Sequence, residues 1–275
     1  MTRTLFECWD EVDARIRASG RVLLACDFDG TLAPIVERPE DARILPECAE
    51  ALREIASLPA FEVAVISGRA LVDVRARVGL SEAVYSGNHG MEIEGTGLSA
   101  EDETAAAARM TMRDIARVLT SSIAAIPGAF VEDKSLSLSI HYRLTPDDLE
   151  PEVEARAREA LAEPVAGGQV IIVQGKKVLD IRSASARDKG AALRFLMEIL
   201  DRRGDGEAHM PIYLGDDRTD EDAFRAANRA DGISVYVGPG GWGTDAMYQL
   251  DAPADVALFL QRLVAGARGQ PGNSV

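Results

Sequence analysis

The run Cys26-Asp27-Phe28-Asp29-Gly30-Thr31 follows an apolar stretch at residues 21–25, so two carboxylates emerge where a buried strand is expected to end. Side chains two residues apart on a strand point to the same side, so Asp27 and Asp29 begin close together and repel each other unless a cation or a shared proton intervenes. Such a pair suits phosphoryl transfer, in which one carboxylate attacks phosphorus and the other moves protons. A polar turn, with Asp29 and Gly30 as turn residues, is the alternative.

The composition is that of a globular protein with a strongly negative charge. The 275 residues are 47% hydrophobic and 27% charged, with a formal net charge of −15. This length predicts one large domain with a smaller companion. The negative field disfavours nucleic acid or an anionic membrane as partner, whereas an anionic small molecule would need local cations and a metal.

Cysteine usage and hydropathy exclude several other classes. Cys8, Cys26 and Cys48 are odd in number and lack metal-ligand spacing, so we predict neither a disulfide framework nor a zinc site. No apolar stretch approaches the roughly 18 residues that a membrane span needs. The N-terminus lacks the layout of a signal peptide, so we expect a cytoplasmic protein with no membrane partner. We also expect the protein to be a monomer.

Strand-like and helical patterns alternate in the first and last thirds of the chain, which predicts a parallel sheet with helices on both faces. The strand-like runs are residues 22–25, Phe61–Ile66, 211–214 and Ile233–Val237. The middle differs, because a helical segment, Ala105–Ile123, precedes a strictly alternating run at residues 135–141, typical of a sheet with one polar face.

We therefore predict an α/β fold, with a Rossmann-like core at residues 1–107 and 185–265. An α+β domain is expected to be inserted at residues 108–184. The Gly-, Pro- and Ser-rich segment 266–275 is predicted to be a disordered tail.

Further polar groups follow other strands. Ser67-Gly68-Arg69 comes after a strand and before a helix, where hydroxyl and backbone N–H groups bind phosphate oxygens well, although Ser67 could equally cap the helix. Lys189 opens a later helix and could supply a compact cation.

An acidic loop, residues 215–222, follows the strand at 211–214. Asp220 can cap the next helix, but Asp216 and Asp217 have no such role. A hard cation held by Asp216 and Asp27 fits the oxygen ligands that magnesium prefers. The glycine pattern at residues 238–243 comes too late in the chain for a dinucleotide-binding loop.

Four motifs occur in the order Asp-x-Asp-Gly-Thr, Ser-Gly-Arg, Lys and Gly-Asp-Asp-x-x-Asp. Together they resemble the haloacid dehalogenase superfamily of phosphotransferases. Within it, residues 87–92, 131–143 and 215–224 resemble the trehalose-6-phosphate phosphatases, and the similarity runs from about residue 21 to residue 263. The resemblance implies a Rossmann-like core, an inserted cap, magnesium dependence, and hydrolysis of trehalose 6-phosphate to trehalose and phosphate.

The resemblance also implies roles for individual residues. Asp27 would be the nucleophile and Asp29 the acid/base. The implied magnesium ligands are Asp27, Asp29 through its backbone carbonyl, Asp216 and the nearby acid Asp217. Asp217 and Asp220 would be nearby acids that support the metal and the lysine. The residues implied to hold the phosphoryl group or the rest of the substrate are Thr31, Ser67, Gly68, Arg69, His89 and Lys189. The implied sugar-binding residues of the cap are Glu132, Lys134, Arg143, Lys176 and Asp180, the last of which is a glutamate in the family.

Three alternatives stay open. The protein could be a sibling phosphatase acting on sucrose phosphate, glucosylglycerol phosphate or another phosphorylated sugar or polyol. A phosphomutase would need a cap that shields the intermediate from water. A non-catalytic sugar-phosphate sensor would have no need to keep mutually repelling carboxylates.

Overall fold

The computed structural model describes residues 3–101, 103–184, 187–203, 207–240 and 243–269. The strands are β1 (Arg3–Thr4), β2 (Arg21–Cys26), β3 (Phe61–Ile66), β4 (Val84–Gly87), β5 (Glu92–Gly95), β6 (Leu98–Glu101), β7 (Phe130–Asp133), β8 (Ser137–His141), β9 (Val170–Gly175), β10 (Val178–Ser183), β11 (His209–Gly215), β12 (Ile233–Val237) and β13 (Tyr248–Leu250). The α-helices are α1 (Trp9–Ala18), α2 (Pro46–Ala56), α3 (Leu71–Val78), α4 (Ala105–Ile123), α5 (Glu150–Ala160), α6 (Ala162–Ala166), α7 (Lys189–Arg203), α8 (Glu221–Arg229) and α9 (Pro253–Arg268).

The chain packs as two compact units. The first contains Met1–Ala100 and Asp188–Val275, and the second contains Glu101–Arg187. The second unit begins before the predicted boundary at residue 108, because α4 as a whole, from Ala105 onward, belongs to it.

The first unit is built on one sheet with the strand order β1-β13-β12-β11-β2-β3-β4-β5-β6. Every pair from β1 to β4 in this order is parallel, and β5 pairs antiparallel with β4. The predicted α/β fold with a parallel sheet is thus confirmed.

Alternation along the central strand β2 explains why helices cover both faces of this sheet. Leu24 and Cys26 belong to a core shared with α2 and α9. Leu23 and Ala25 belong to a second core shared with α7 and α8. Both sets of side chains are fully buried, so the strand is fixed from two sides.

Three neighbouring strands of this sheet end beside each other. Because β11, β2 and β3 are adjacent and parallel, their carboxyl ends meet at one edge. Asp216, Asp27 and Ser67 each follow directly after one of these strands. The topology therefore gathers residues that are far apart in sequence.

The second unit is an antiparallel sheet, ordered β7-β8-β10-β9, packed on helices. Leu138 and Ile140 of β8 and Leu179 and Ile181 of β10 are fully buried against apolar residues of α4 and α5. The other face of these two strands carries Val178 and the polar residues Ser137, Ser139, His141, Asp180 and Arg182, and we call it the polar face.

The end of the chain differs from the expectation for residues 266–275. Helix α9 continues through Arg268, because Leu263 and Val264 are buried and Ala267 packs on the same core. Residues 266–268 are therefore helical, and residues 270–275 lie outside the described residues. Among the described residues, no helix is both long and apolar enough to cross a membrane.

Candidate active site

Three carboxylates and one ammonium group meet at the edge where β2 and β11 end. The Nζ atom of Lys189 lies 2.8 Å from Oδ1 of Asp27 and 2.7 Å from Oδ1 of Asp220. Asp27, Asp216 and Asp220 each offer an oxygen, and these oxygens lie within 4.8 Å of one another. All four residues are buried, so this cluster holds three carboxylates and one ammonium group away from bulk water.

The pKa values of this group follow from burial and charge. Burial raises the pKa of Asp27 to about 7, helped by the nearby Asp220 and opposed by Lys189. Burial alone would lower the pKa of Lys189, but the charges of Asp220 and Asp27 raise it above its usual value. The lysine therefore stays charged, while Asp27 is costly to ionise without a further cation.

Two glycines allow the acidic loops to approach each other. Gly30 has a φ of +83°, and a β-carbon there would clash with the Asp216 carboxylate. A β-carbon on Gly215 would clash with the Asp220 side chain. The turn after β2 thus meets the loop after β11 with no space for a side chain at residue 30. The loop after β11 likewise folds back over residue 215 with no space for a side chain there.

Asp220 holds the loop after β11 in place. Its carboxylate accepts hydrogen bonds from the backbone N–H groups of Asp216, at 3.1 Å, and Asp217, at 3.0 Å. It also accepts one from the buried Tyr213 hydroxyl, at 2.7 Å. Asp220 joins Asp27 and Asp216 in the carboxylate cluster, because the turn at 218–220 brings its side chain back over the end of the strand.

Asp29 is held by Arg69 rather than by the cluster. Arg69 donates from Nε to Oδ2 of Asp29 at 2.6 Å and from Nη2 to Oδ1 at 2.7 Å. Its Nη1 donates to Asp73 at 2.7 Å, and its Nη2 also donates to the Pro39 carbonyl. Arg69, which is expected to bind substrate, is buried, and all three nitrogens of its guanidinium group are engaged within the protein.

The expected phosphate-binding residues lie at the ends of β2 and β3. The Oγ1 atom of Thr31 is buried and has no hydrogen-bond partner among the described residues. Ser67 is buried, and its Oγ accepts the backbone N–H of Arg69 at 3.1 Å, so it stabilises its own turn. A β-carbon on Gly68 would clash with the imidazole of His89. His89 is a buried residue, and its backbone has a φ of 58°.

The polar face of the second unit brings together three of the expected sugar-binding residues. Lys134 lies 3.8 Å from Glu132 and 3.8 Å from Asp180. Lys134 also donates to the Ser139 hydroxyl at 2.7 Å, and Ser139 in turn donates to Asp180. Strand register explains this grouping, because Glu132, Ser139 and Asp180 form one row across β7, β8 and β10.

The other two expected residues lie where β8 ends and β9 turns into β10. Arg143 donates from Nη2 to the Lys176 carbonyl at 2.9 Å.

Sequence reasoning missed two further members of the polar face. His141 lies 2.8 Å from the Glu132 carboxylate, and Arg182 lies 3.5 Å from Asp180. The alternation of polar and apolar residues along β8 and β10 could have indicated that both residues lie on this face.

A parallel α/β core, an Asp-x-Asp turn, a buried lysine and an acidic loop, all at the carboxyl edge of one sheet, define a hydrolase of the haloacid dehalogenase fold. The sequence profile of the trehalose-phosphatase family matches residues 25–254. The chain belongs to this family, as its motifs indicate, and it is a phosphoric monoester hydrolase.

Comparison with known proteins agrees with this assignment. The chain is 36% identical over 276 residues to the probable trehalose-phosphate phosphatase 4 of Oryza sativa subsp. japonica, covering 97% of this chain and 72% of that protein. The solved C-terminal domain of C. albicans trehalose-6-phosphate phosphatase is similar with a TM-score of 0.82 and 24% identity, covering 96% of this chain and 98% of that one. That likeness concerns the fold alone.

A third similarity bears on the alternatives. The C-terminal domain of the Candida albicans trehalose synthase regulatory protein has a TM-score of 0.70 at 12% identity, covering 94% of this chain and 98% of that one. The same fold thus occurs in a protein named as a regulator, so the chemistry of the site carries more weight than the fold.

Proposed function

We propose that this enzyme hydrolyses trehalose 6-phosphate to trehalose and phosphate, with Mg²⁺, through an aspartyl-phosphate on Asp27. The observation that carries the proposal is the buried cluster of Asp27, Asp216 and Asp220 with Lys189. The choice of substrate is supported by the names of the relatives and by the polar face of the second unit.

The cluster suits a divalent cation. The cluster combines three buried carboxylates with one ammonium group, and burial is the main reason why the pKa of Asp27 is raised and why its ionisation is costly without a further cation. Asp27 and Asp216 would hold the ion together with the Asp29 carbonyl, since Asp220 is bound to Lys189 and the loop. When bound, magnesium neutralises charge on the phosphoryl oxygens.

The first chemical step is displacement at phosphorus. An oxygen of Asp27 attacks the phosphorus atom, and the bond from phosphorus to the sugar oxygen breaks. Asp29 gives a proton to the departing oxygen, which leaves as the sugar hydroxyl. The ammonium group of Lys189 stabilises the charge that builds up, and the buried Thr31 hydroxyl is available to a phosphate oxygen.

The second step regenerates the enzyme. Asp29 accepts a proton from water, whose oxygen attacks the phosphorus of the aspartyl-phosphate. The bond from phosphorus to the Asp27 oxygen breaks, which releases phosphate and restores the carboxylate. Arg69 keeps Asp29 in one orientation through its two hydrogen bonds, so the same carboxyl group serves both steps.

The polar face of the second unit would bind the sugar. Glu132 and Asp180 supply hydrogen-bond acceptors, and Lys134 supplies donors. Arg143 and Lys176 add cationic groups near the turn between β9 and β10. Asp180 is shorter than the family's glutamate, and its contact with Ser139 keeps its carboxylate close to the sheet.

A phosphate-release assay tests the proposal. Trehalose 6-phosphate, sucrose 6-phosphate, glucose 6-phosphate and p-nitrophenyl phosphate are compared with magnesium and with EDTA. We expect a preference for trehalose 6-phosphate that disappears in EDTA. Asp27→Asn should abolish turnover, whereas Asp231→Asn, which changes a fully exposed acid, should not.

Two results would contradict the proposal. If Asp27→Asn turns over substrate at more than a small fraction of the wild-type rate, Asp27 is not the nucleophile. Equal rates on all sugar phosphates would contradict a specificity for trehalose 6-phosphate, but the protein would still be a phosphatase.

A further inference from the structure

Arg182 lies on the polar face of the second unit. On β10 it stands two residues after Asp180, on the same side of the sheet, and it faces Ser137 of β8. Its side chain is only 10% exposed. A guanidinium group is rarely buried to this extent without partners for its N–H groups.

The hydrogen bonding of Arg182 differs from that of its neighbours. Lys134, Ser139 and Asp180 are joined by hydrogen bonds, and His141 contacts Glu132. By contrast, Nε and Nη2 of Arg182 make no hydrogen bond to any residue that the structure describes. The Nη2 atom lies 3.5 Å from the Asp180 carboxylate, with which it forms an ion pair.

These two nitrogens form one edge of the guanidinium group, with parallel N–H bonds. In Arg69 the same edge donates to both oxygens of Asp29. In Arg182 this edge has no such partner among the described residues, and leaving buried donors unsatisfied costs about 1–3 kcal/mol. A ligand that offers two adjacent oxygens would remove that cost.

The charge of the polar face indicates which oxygens these are. Glu132 and Asp180 are balanced by Lys134 and Arg182, so the four groups sum to zero formal charge. A dianionic phosphate would meet the Asp180 carboxylate beside the guanidinium. Neutral hydroxyl groups, which donate to Asp180 and accept from Arg182, suit this arrangement better.

Arg182 is also distant from the other cationic pair. Val178, beside the turn near Arg143 and Lys176, lies four positions before Arg182 along β10. At about 3.3 Å per residue this spans roughly 13 Å. Arg182 therefore belongs to a different part of the face.

We propose that Nε and Nη2 of Arg182 donate two parallel hydrogen bonds to neighbouring hydroxyl oxygens of the sugar. Arg182 is thus a specificity-determining residue, with Asp180 accepting from one of the same hydroxyl groups. This inference rests on the proposed function, since it assigns a further contact to the sugar of a phosphorylated substrate.

The test compares Arg182→Gln and Arg182→Lys with the wild type on trehalose 6-phosphate and on p-nitrophenyl phosphate, which has the phosphate but no hydroxyl groups. We expect kcat/KM for the sugar phosphate to fall about 10- to 100-fold in both variants, as for hydrogen bonds to a charged group. Lysine keeps the charge but lacks the paired donors. The rate on the aryl ester should stay within about twofold.

Arg117→Gln is the matched control, because it removes an exposed arginine from α4 of the same unit. It should leave both rates unchanged. Circular dichroism and thermal unfolding check each variant, and if the glutamine variant does not fold, the lysine variant carries the test.

Two results overturn the inference. Equal losses on both substrates would indicate a phosphate contact or a structural role, and an unchanged rate on the sugar phosphate would indicate no contact. The wild-type screen decides the proposed function separately. If another sugar phosphate proves the better substrate, the variants are compared on that one, and if only the aryl ester is hydrolysed, both proposals fall.

Discussion

Replacing Asp27 by asparagine is expected to stabilise the metal-free protein while abolishing turnover. Burial raises the pKa of Asp27 from 3.8 to about 7 in the folded state. The stability that this group contributes is therefore fully present below pH 3.8 and is lost as the pH rises to about 7. Proton linkage gives a cost of about 2 kcal/mol at pH 5.5 and about 4 kcal/mol at pH 8. Asparagine cannot ionise and escapes this cost.

Urea denaturation in EDTA at pH 5.5 and pH 8 measures the effect. The stability advantage of Asp27→Asn over the wild type should grow by about 2 kcal/mol between the two pH values. Asp231→Asn, which changes a fully exposed acid, should show no such growth. Adding magnesium at pH 8 should stabilise the wild type more than Asp27→Asn. An asparagine variant less stable than the wild type at pH 8 in EDTA, or an advantage independent of pH, would refute the reasoning.

Three further substitutions test other parts of the site. Gly68→Ala places a methyl group against the buried imidazole beside it, so urea denaturation should show a loss of about 1–3 kcal/mol, and an unchanged stability would contradict this packing. Arg69→Lys removes the bidentate contact to Asp29, so kcat should fall about 10- to 100-fold on a sugar phosphate and less on p-nitrophenyl phosphate, whose leaving group needs no proton. An unchanged kcat on both substrates would exclude a role for Arg69 in orienting Asp29. Asp220→Asn replaces a carboxylate that accepts from Lys189, the Tyr213 hydroxyl and two backbone N–H groups by an amide whose NH2 group cannot accept, so the free energy of unfolding should drop by about 3–5 kcal/mol, and a loss under 1 kcal/mol would contradict this role of Asp220.

The fold could be predicted because the central strands are buried on both faces. Apolar runs such as Phe61–Ile66 stand out in the sequence, and their alternation with helices specifies a parallel sheet. The short strands were less visible. β4, β5 and β13 are only three or four residues long, and their pairing with neighbours, rather than any local pattern, makes them strands.

The site was predicted where chemistry follows directly after a strand. Asp27 and Asp216 come together because their strands are neighbours, which the order of motifs indicated. The choice between Asp217 and Asp220 depends on how a turn folds back, and a sequence of several acids does not specify this. The pairing of Arg69 with Asp29 joins residues 40 positions apart, and sequence proximity to Ser67 suggested a different ligand for that arginine.

Alternation along β8 and β10 separates two tasks within the same strands. Positions 138, 140, 179 and 181 fill the core of the second unit, while positions 137, 139, 180 and 182 carry the polar groups. Substitutions at the second set of positions therefore change the hydrogen-bonding groups of the sheet while the apolar contacts with α4 and α5 stay as they are.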